Sequence, residues 1–214
     1  MKSRQAGFTL VEIAIVLVII GLLLGGILKG QEMIVQAKVK NSITDFSGVS
    51  AAYFGYQDRY RALPGDDASA DRWAGATKGN GDRTLGGKYN STTVTDESLL
   101  WWDHLRRSGF VTGGTGTTQP NNSFNGILGV QTGDAATPLG PVLGGITNLI
   151  LCSSNLPDKV AIALDVQMDD GKPDTGAVRS TPIQASAAAP DITNTPATAY
   201  AENGTNAYTL CRQF

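Results

Sequence analysis

The sequence is poor in the residues from which catalytic sites are built. It has one histidine, His104, and two cysteines, Cys152 and Cys211, among 214 residues. One histidine with no nucleophile placed beside it by a motif provides no catalytic triad, and with no spare cysteine it provides no zinc site. No glycine-rich phosphate-binding motif of the common types is present, so no ATPase activity is expected. We therefore predict a protein that is not an enzyme, with His104 on the surface of a helix.

The chain also has little excess charge and few basic clusters. Its 17 Lys and Arg against 19 Asp and Glu give a formal charge of −2, and its longest basic run is Arg106-Arg107. This balance argues against a protein that binds nucleic acid through the phosphate backbone. The 26 glycines and 9 prolines indicate a loop-rich globular domain, short of the composition of a disordered protein.

One long apolar run, residues 8–28, contrasts with the polar remainder. As a helix it would rise about 31 Å, enough to cross the hydrocarbon core of a bilayer. Lys2 and Arg4 precede it, which predicts that the amino-terminal end stays in the cytoplasm. Gly7 also precedes the run, whereas the small residues of a secretory cleavage site follow it. An uncleaved signal anchor is the simplest interpretation.

Glu12 lies inside this apolar run and gives a simple anchor no advantage. A carboxylate within a bilayer costs on the order of 3 kcal/mol on insertion scales. Residues 7–12, with the sequence GFTLVE, resemble the processing site of the type IV pilin and pseudopilin family. In that family a short basic leader ends in Gly and is followed by Phe-Thr-Leu-(Ile/Val)-Glu and an apolar helix.

The resemblance implies a processing and assembly route. A prepilin peptidase would cut between Gly7 and Phe8 and methylate the new amino terminus at Phe8. Glu12 would pair with the amino group of Phe8 on a neighbouring subunit, and would select register more than it adds net stability. The implied partners are copies of the chain, sibling pilins or pseudopilins, the peptidase, and an inner-membrane assembly platform with a cytoplasmic ATPase. Before assembly the subunit would cross the inner membrane once with its amino terminus inside, and afterwards it would lie in an extracellular pilus or a periplasmic pseudopilus.

Helical spacing continues beyond the membrane run. Apolar residues recur every three or four positions as far as Tyr60, before the breaker Leu63-Pro64-Gly65. No proline precedes Pro64, so any local unwinding would centre on Gly25 and Gly26, unless these glycines serve close helix packing in lipid. We expect a leader at 1–7, a transmembrane and assembly half-helix at 8–30, an amphipathic half-helix at 31–61 and an extracytoplasmic head at 62–214.

The fold class predicted is α+β and pilin-like, with the long helix packed on a small antiparallel-sheet head with long loops. A short helix should follow Thr95 or Asp96 and place Trp101 and Trp102 in the core, although a ligand platform is the alternative. Strands are expected near 127–130, 148–152 and 207–211. Residues 157–168 fit a helix slightly better than a strand.

The two cysteines are expected to form a disulfide. Both are flanked by strand-like apolar residues in a domain predicted to lie outside the cytoplasm, where disulfides persist. A bridge between Cys152 and Cys211 would close a loop of roughly 60 residues and contribute about 4 kcal/mol. It would also resemble the disulfide-bounded region near the carboxyl terminus of many pilins. Two free buried thiols are the alternative.

Three groups of oxygen-bearing side chains are candidates for calcium, which takes six to eight oxygen ligands. Related pseudopilins can hold calcium in their heads. None of the groups has EF-hand spacing, and solvated turns explain them at least as well. The groups are Asp66, Asp67 and Asp71; Asn80 and Asp82; and the preferred metal candidates Asp165, Asp169, Asp170 and Asp174.

Together these features predict a structural subunit of a type IV pilus-like filament, processed by prepilin peptidase and polymerised through its amino-terminal helix. One alternative is a pseudopilin or minor pilin of a type II secretion system. The carboxyl-terminal cysteine pair favours the pilus, and the calcium candidates favour the pseudopilus. A further alternative is a signal-anchored periplasmic binding or enzyme domain.

Overall fold

A computed structural model describes residues 9–133, 142–183 and 196–214. The chain divides into two compact units, Met1–Lys38 and Val39–Phe214. One helix, α1 (Leu10–Tyr60), contributes residues to both units.

The first unit is the apolar part of α1. Its large side chains from Leu10 to Leu28 are all at least 46% exposed. Among the described residues, α1 is the one helix that is long and apolar enough to cross a membrane. It is continuous through Gly25 and Gly26, and a Cβ added at either glycine would meet nothing within 4 Å. The subunit itself therefore shows no unwinding at these positions.

The second unit is built around the carboxyl-terminal part of α1. Phe46, Val49 and Tyr56 recur on one face and are buried in the main core. Tyr53 packs at the edge of this core and stacks on Trp101 with 5.4 Å between ring centroids. Trp101 and Trp102 are fully buried, which confirms their predicted place in the core.

A four-stranded antiparallel sheet completes this unit, with the strand order β1-β2-β4-β3. The fold is α+β, as predicted. Strand β3 was missed by the sequence reasoning, because its polar sequence contains Pro182. It lies at an edge of the sheet, where a residue without a backbone N–H is tolerated. The strands are β1 (Leu128–Thr132), β2 (Leu149–Pro157), β3 (Val178–Ile183) and β4 (Ala207–Gln213).

The described residues of the head also form the helices α2 (Glu97–Arg107) and α3 (Asp158–Met168) and a 3₁₀ turn at Ala70–Arg72. The helical interpretation of 157–168 is confirmed. Asp96 occupies the N-cap position of α2, but its side chain caps no backbone N–H. It accepts a hydrogen bond from the Ser91 hydroxyl at 2.5 Å instead, so the helix begins after Asp96 as predicted, but without a side-chain cap.

The prediction of a surface position for His104 was also wrong, because its side chain is fully buried. Its Nδ1 accepts a hydrogen bond from the Gly65 N–H at 2.9 Å, and its Nε2 lies 2.7 Å from the Thr77 carbonyl oxygen. This pair of contacts fits a neutral ring protonated on Nε2. Burial lowers the pKa of His104. The residue therefore holds two points of the connection between α1 and α2 against α2.

Candidate processing and assembly segment

The described part of the processing segment begins at Thr9; Gly7 and Phe8 lie outside the described residues. Thr9 and Glu12 bond reciprocally at the start of α1. The Thr9 backbone N–H donates to the Glu12 carboxylate at 2.8 Å, and the Glu12 N–H donates to the Thr9 hydroxyl oxygen at 3.3 Å. The Thr9 hydroxyl also donates to the Glu12 carboxylate at 2.7 Å. This arrangement is a capping box, which fixes the first turn of the helix.

The capping box gives Glu12 a local role that the sequence reasoning missed. A carboxylate in the first turn is stabilised by free backbone N–H groups and by the positive end of the helix dipole. The signal was present in the sequence, since Thr9-Leu10-Val11-Glu12 is the pattern of a capping box. Thr9 therefore joins Glu12 as a candidate functional residue.

The surface beyond the capping box is apolar on all sides. Leu10, Leu22 and Leu28 are 86%, 73% and 66% exposed. An exposed apolar surface of this length marks contact with a membrane or with other proteins. Lys29 and Glu32 follow it as an exposed ion pair at 2.7 Å, so the helix surface becomes polar immediately after the apolar run.

The disulfide lies in the centre of the sheet. Cys152 on β2 is directly opposite Cys211 on β4, and the two are bonded. Both are fully buried in a small second core with Tyr89 and Ile150. The described residues contain no free cysteine, so the alternative of two buried thiols does not hold.

The preferred calcium candidates are only partly brought together. Asp165, Asp169 and Asp170 each offer an oxygen within 4.8 Å of the others, and this group does not include Asp174. Burial raises the pKa of Asp165 to about 6. Its carboxylate already accepts hydrogen bonds from the Tyr200 hydroxyl at 2.5 Å and from the Gly171 N–H at 3.1 Å. Three carboxylates are a suitable start for a calcium site, but the ion would need further oxygens.

The other two acidic groups are rearranged by the fold. The Asp67 carboxylate accepts a hydrogen bond from the Tyr56 hydroxyl and pairs with Arg72. The structure instead groups Asp66 with Asp82 and Glu97. The sequence reasoning missed Glu97, which is separated from Asp66 by a long loop.

The backbone of that loop surrounds the two buried carboxylates of this group. Glu97 accepts hydrogen bonds from the N–H groups of Asn80 and Gly86 at 2.9 and 2.8 Å. The three N–H groups of residues 81–83 donate to Asp66. The donors around these carboxylates indicate a structural role in holding the loop.

Comparison with protein families gives a match at the amino-terminal end of the chain. Residues 2–28 match the family model of the prokaryotic N-terminal methylation motif, the type IV pilin and pseudopilin signature. Comparisons with curated proteins and with solved structures gave no match. The matched segment points to a family of structural subunits, and together with the apolar helix it fits a membrane-anchored pilin-like protein.

Proposed function

We propose that the chain is a structural subunit of a type IV pilus-like filament. A prepilin peptidase cuts it between Gly7 and Phe8, and it polymerises through α1. The observation that carries this proposal is the methylation motif at residues 2–28, which coincides with the exposed apolar run of α1, whose one carboxylate is Glu12.

Glu12 supports polymerisation because its local partners are neutral. Within the subunit its carboxylate accepts hydrogen bonds from the Thr9 N–H and hydroxyl, which lower the cost of its burial but leave its charge uncompensated. Cleavage creates a new amino group at Phe8, and the ammonium of a neighbouring subunit neutralises Glu12. A buried charge is tolerated when it is paired and penalised when it is alone, so only one register between neighbouring helices satisfies both groups.

The partners and location follow from this route. The precursor crosses the inner membrane once with its amino terminus in the cytoplasm, where Lys2 and Arg4 lie. Its partners are copies of itself, sibling pilins, the prepilin peptidase and an assembly platform with a cytoplasmic ATPase. The head, with its disulfide, faces an oxidising compartment.

A pseudopilin or minor pilin of a type II secretion system is the second candidate. The grouping of Asp165, Asp169 and Asp170 favours it, because a calcium site in the head would resemble that of pseudopilins. The two candidates share the processing chemistry and differ in where the assembled subunit is found.

Three variants expressed in cells with an active prepilin peptidase test the proposal. Gly7→Leu should block cleavage, and Glu12→Leu should be cleaved but fail to enter filaments. The control is Glu32→Gln, which removes a carboxylate from the same helix outside the apolar run and should assemble normally. Normal filaments from the Gly7 or Glu12 variant would contradict the proposal and return the chain to a signal-anchored domain.

A further inference from the structure

Two arginines of the head have an unusual backbone conformation. Arg61 has φ 55° and Arg83 has φ 71°. Positive φ is uncommon for residues other than glycine, and such positions are often retained for function. Both arginines line the same groove, although they are far apart in the sequence.

Each arginine is held in place by backbone hydrogen bonds. Arg61 follows the last turn of α1, where its N–H donates to the Gln57 carbonyl oxygen at 2.8 Å; glycine is the usual residue at such a position. The Arg83 N–H donates to the Asp66 carboxylate at 2.7 Å. The N–H groups of Gly81 and Asp82 donate to the other oxygen of Asp66 at 2.5 and 3.1 Å. A buried carboxylate therefore fixes the loop that carries Arg83.

The acidic residues that line the groove do not neutralise the guanidinium groups of Arg61 and Arg83. Asp67 is paired with Arg72 at 2.6 Å, and Asp66 accepts the backbone N–H groups just described. Arg83 makes no ion pair within the described residues. Arg61 pairs with Asp58 at 3.4 Å, but both side chains are 82% exposed, so this pair contributes little.

The remaining lining is neutral and rich in hydrogen-bonding groups. The groove has a volume of about 980 Å³, much larger than one small anion and near the upper end for ligand sites. Hydroxyl and amide side chains line it together with the arginines. They belong to Gln57, Thr84, Thr132, Thr147 and Asn148.

We propose that this groove binds an acidic oligosaccharide. The planar guanidinium groups of Arg61 and Arg83 match carboxylates of uronic acid sugars, which they bind through two parallel hydrogen bonds. The threonine, glutamine and asparagine side chains match sugar hydroxyls. The hydroxyl-rich lining favours a sugar over an acidic peptide, and its size favours an oligomer over a free anion.

Calorimetry on the full chain in an uncharged detergent without a sugar headgroup tests the proposal. Trigalacturonate should bind saturably, and its affinity should fall as salt is raised. Maltotriose, which is neutral, should not bind detectably under the same conditions. Binding of triglutamate equal to or tighter than that of trigalacturonate would overturn the proposal in favour of a peptide site. Equal binding of inorganic phosphate would reduce the groove to a general anion site and overturn it as well.

Glycine variants separate binding from folding. Arg61→Gly and Arg83→Gly should each weaken trigalacturonate binding about tenfold or more. Their thermal midpoints should not fall below that of the parent, because glycine adopts positive φ without strain. Arg59→Gln is the control, since Arg59 lies in the last turn of α1, two residues before Arg61, but does not line the groove; it should bind like the parent. Glycine variants that bind normally, or that lose binding only by unfolding, would overturn the proposal.

Discussion

Removal of the disulfide should destabilise the head by about 4 kcal/mol. Cys152 and Cys211 are 59 residues apart in sequence and face each other on neighbouring strands. In the chain-entropy model the bridge acts mainly on the unfolded chain, which it prevents from separating at these two points. Without the bridge, β2 and β4 keep their backbone pairing, so the fold should form but be less stable.

The magnitude follows from the loop length. For a 59-residue loop the chain-entropy relation gives a loss of about 14 cal/mol/K, or about 4 kcal/mol at 25 °C. Three variants should agree: Cys152→Ala, Cys211→Ala and the double variant all lack the same bond. Since both side chains are buried, the second replacement adds only the loss of a small side chain, about 1 kcal/mol.

Urea unfolding of the full chain in detergent measures this free energy, with fluorescence of the buried Trp101 and Trp102 as the probe. The parent under reducing conditions, which keeps both side chains, should lose the loop-closure contribution of about 4 kcal/mol. A loss below about 1 kcal/mol in all three variants would refute the loop-entropy reasoning. Single variants that differ from each other by more than about 2 kcal/mol would show that side-chain packing dominates instead.

Three further predictions concern the head. Burial lowers the pKa of His104 in the folded protein. Its contribution to stability is therefore complete above about pH 6.5 and is lost as the pH falls through the folded-state pKa. Between about pH 7 and 5.5 the unfolding free energy of the parent should fall more than that of His104→Gln, and an equal fall in both would contradict this. Gly126→Ala should cost roughly 1–3 kcal/mol, because the added Cβ would lie 2.0 Å from the Ser154 carbonyl oxygen, whereas Gly114→Ala meets nothing within 4 Å and should be neutral in the same urea assay. Calcium at Asp165, Asp169 and Asp170 stays a prediction: about 1 mM calcium should raise the thermal midpoint over that in chelator, Asp169→Asn should remove the effect, and an unchanged parent would exclude a stabilising site.

The long helix was predictable because its information is local. Its apolar spacing runs without a break to Tyr60, and the Leu63-Pro64-Gly65 breaker follows at once. Its start was less clear from periodicity alone, since Phe8 is as apolar as Leu10. The pattern Thr9-x-x-Glu12 marks the start by a specific hydrogen-bond exchange.

The environment of α2 was not predictable, because it depends on distant loops. A helix with Asp103 and His104 between apolar residues looks half exposed. In the structure Asp103 accepts the Gly116 N–H at 2.7 Å and pairs with Arg107 at 2.6 Å. Loops that precede and follow α2 thus cover its polar face and hydrogen-bond to it. The periodicity of the α2 sequence carries no information about such contacts.

The acidic clusters show the same limit. Their spacing in the sequence placed Asp66 and Asp67 in one group. In the fold the carboxylates of these neighbours point in different directions and have different partners. Glu97 reaches Asp66 only because the loop between them folds back. Strand β3 was missed for another reason: edge strands need neither a continuous apolar pattern nor every backbone N–H, so Pro182 does not exclude one.

The most direct test of the proposed function is mass spectrometry of filaments sheared from cells that have an active prepilin peptidase. We expect an abundant amino-terminal peptide that begins with N-methylated Phe8. The same peptide found only in the envelope fraction would favour the pseudopilin or minor pilin alternative. An intact amino terminus at Met1 or Lys2 would contradict the proposed processing.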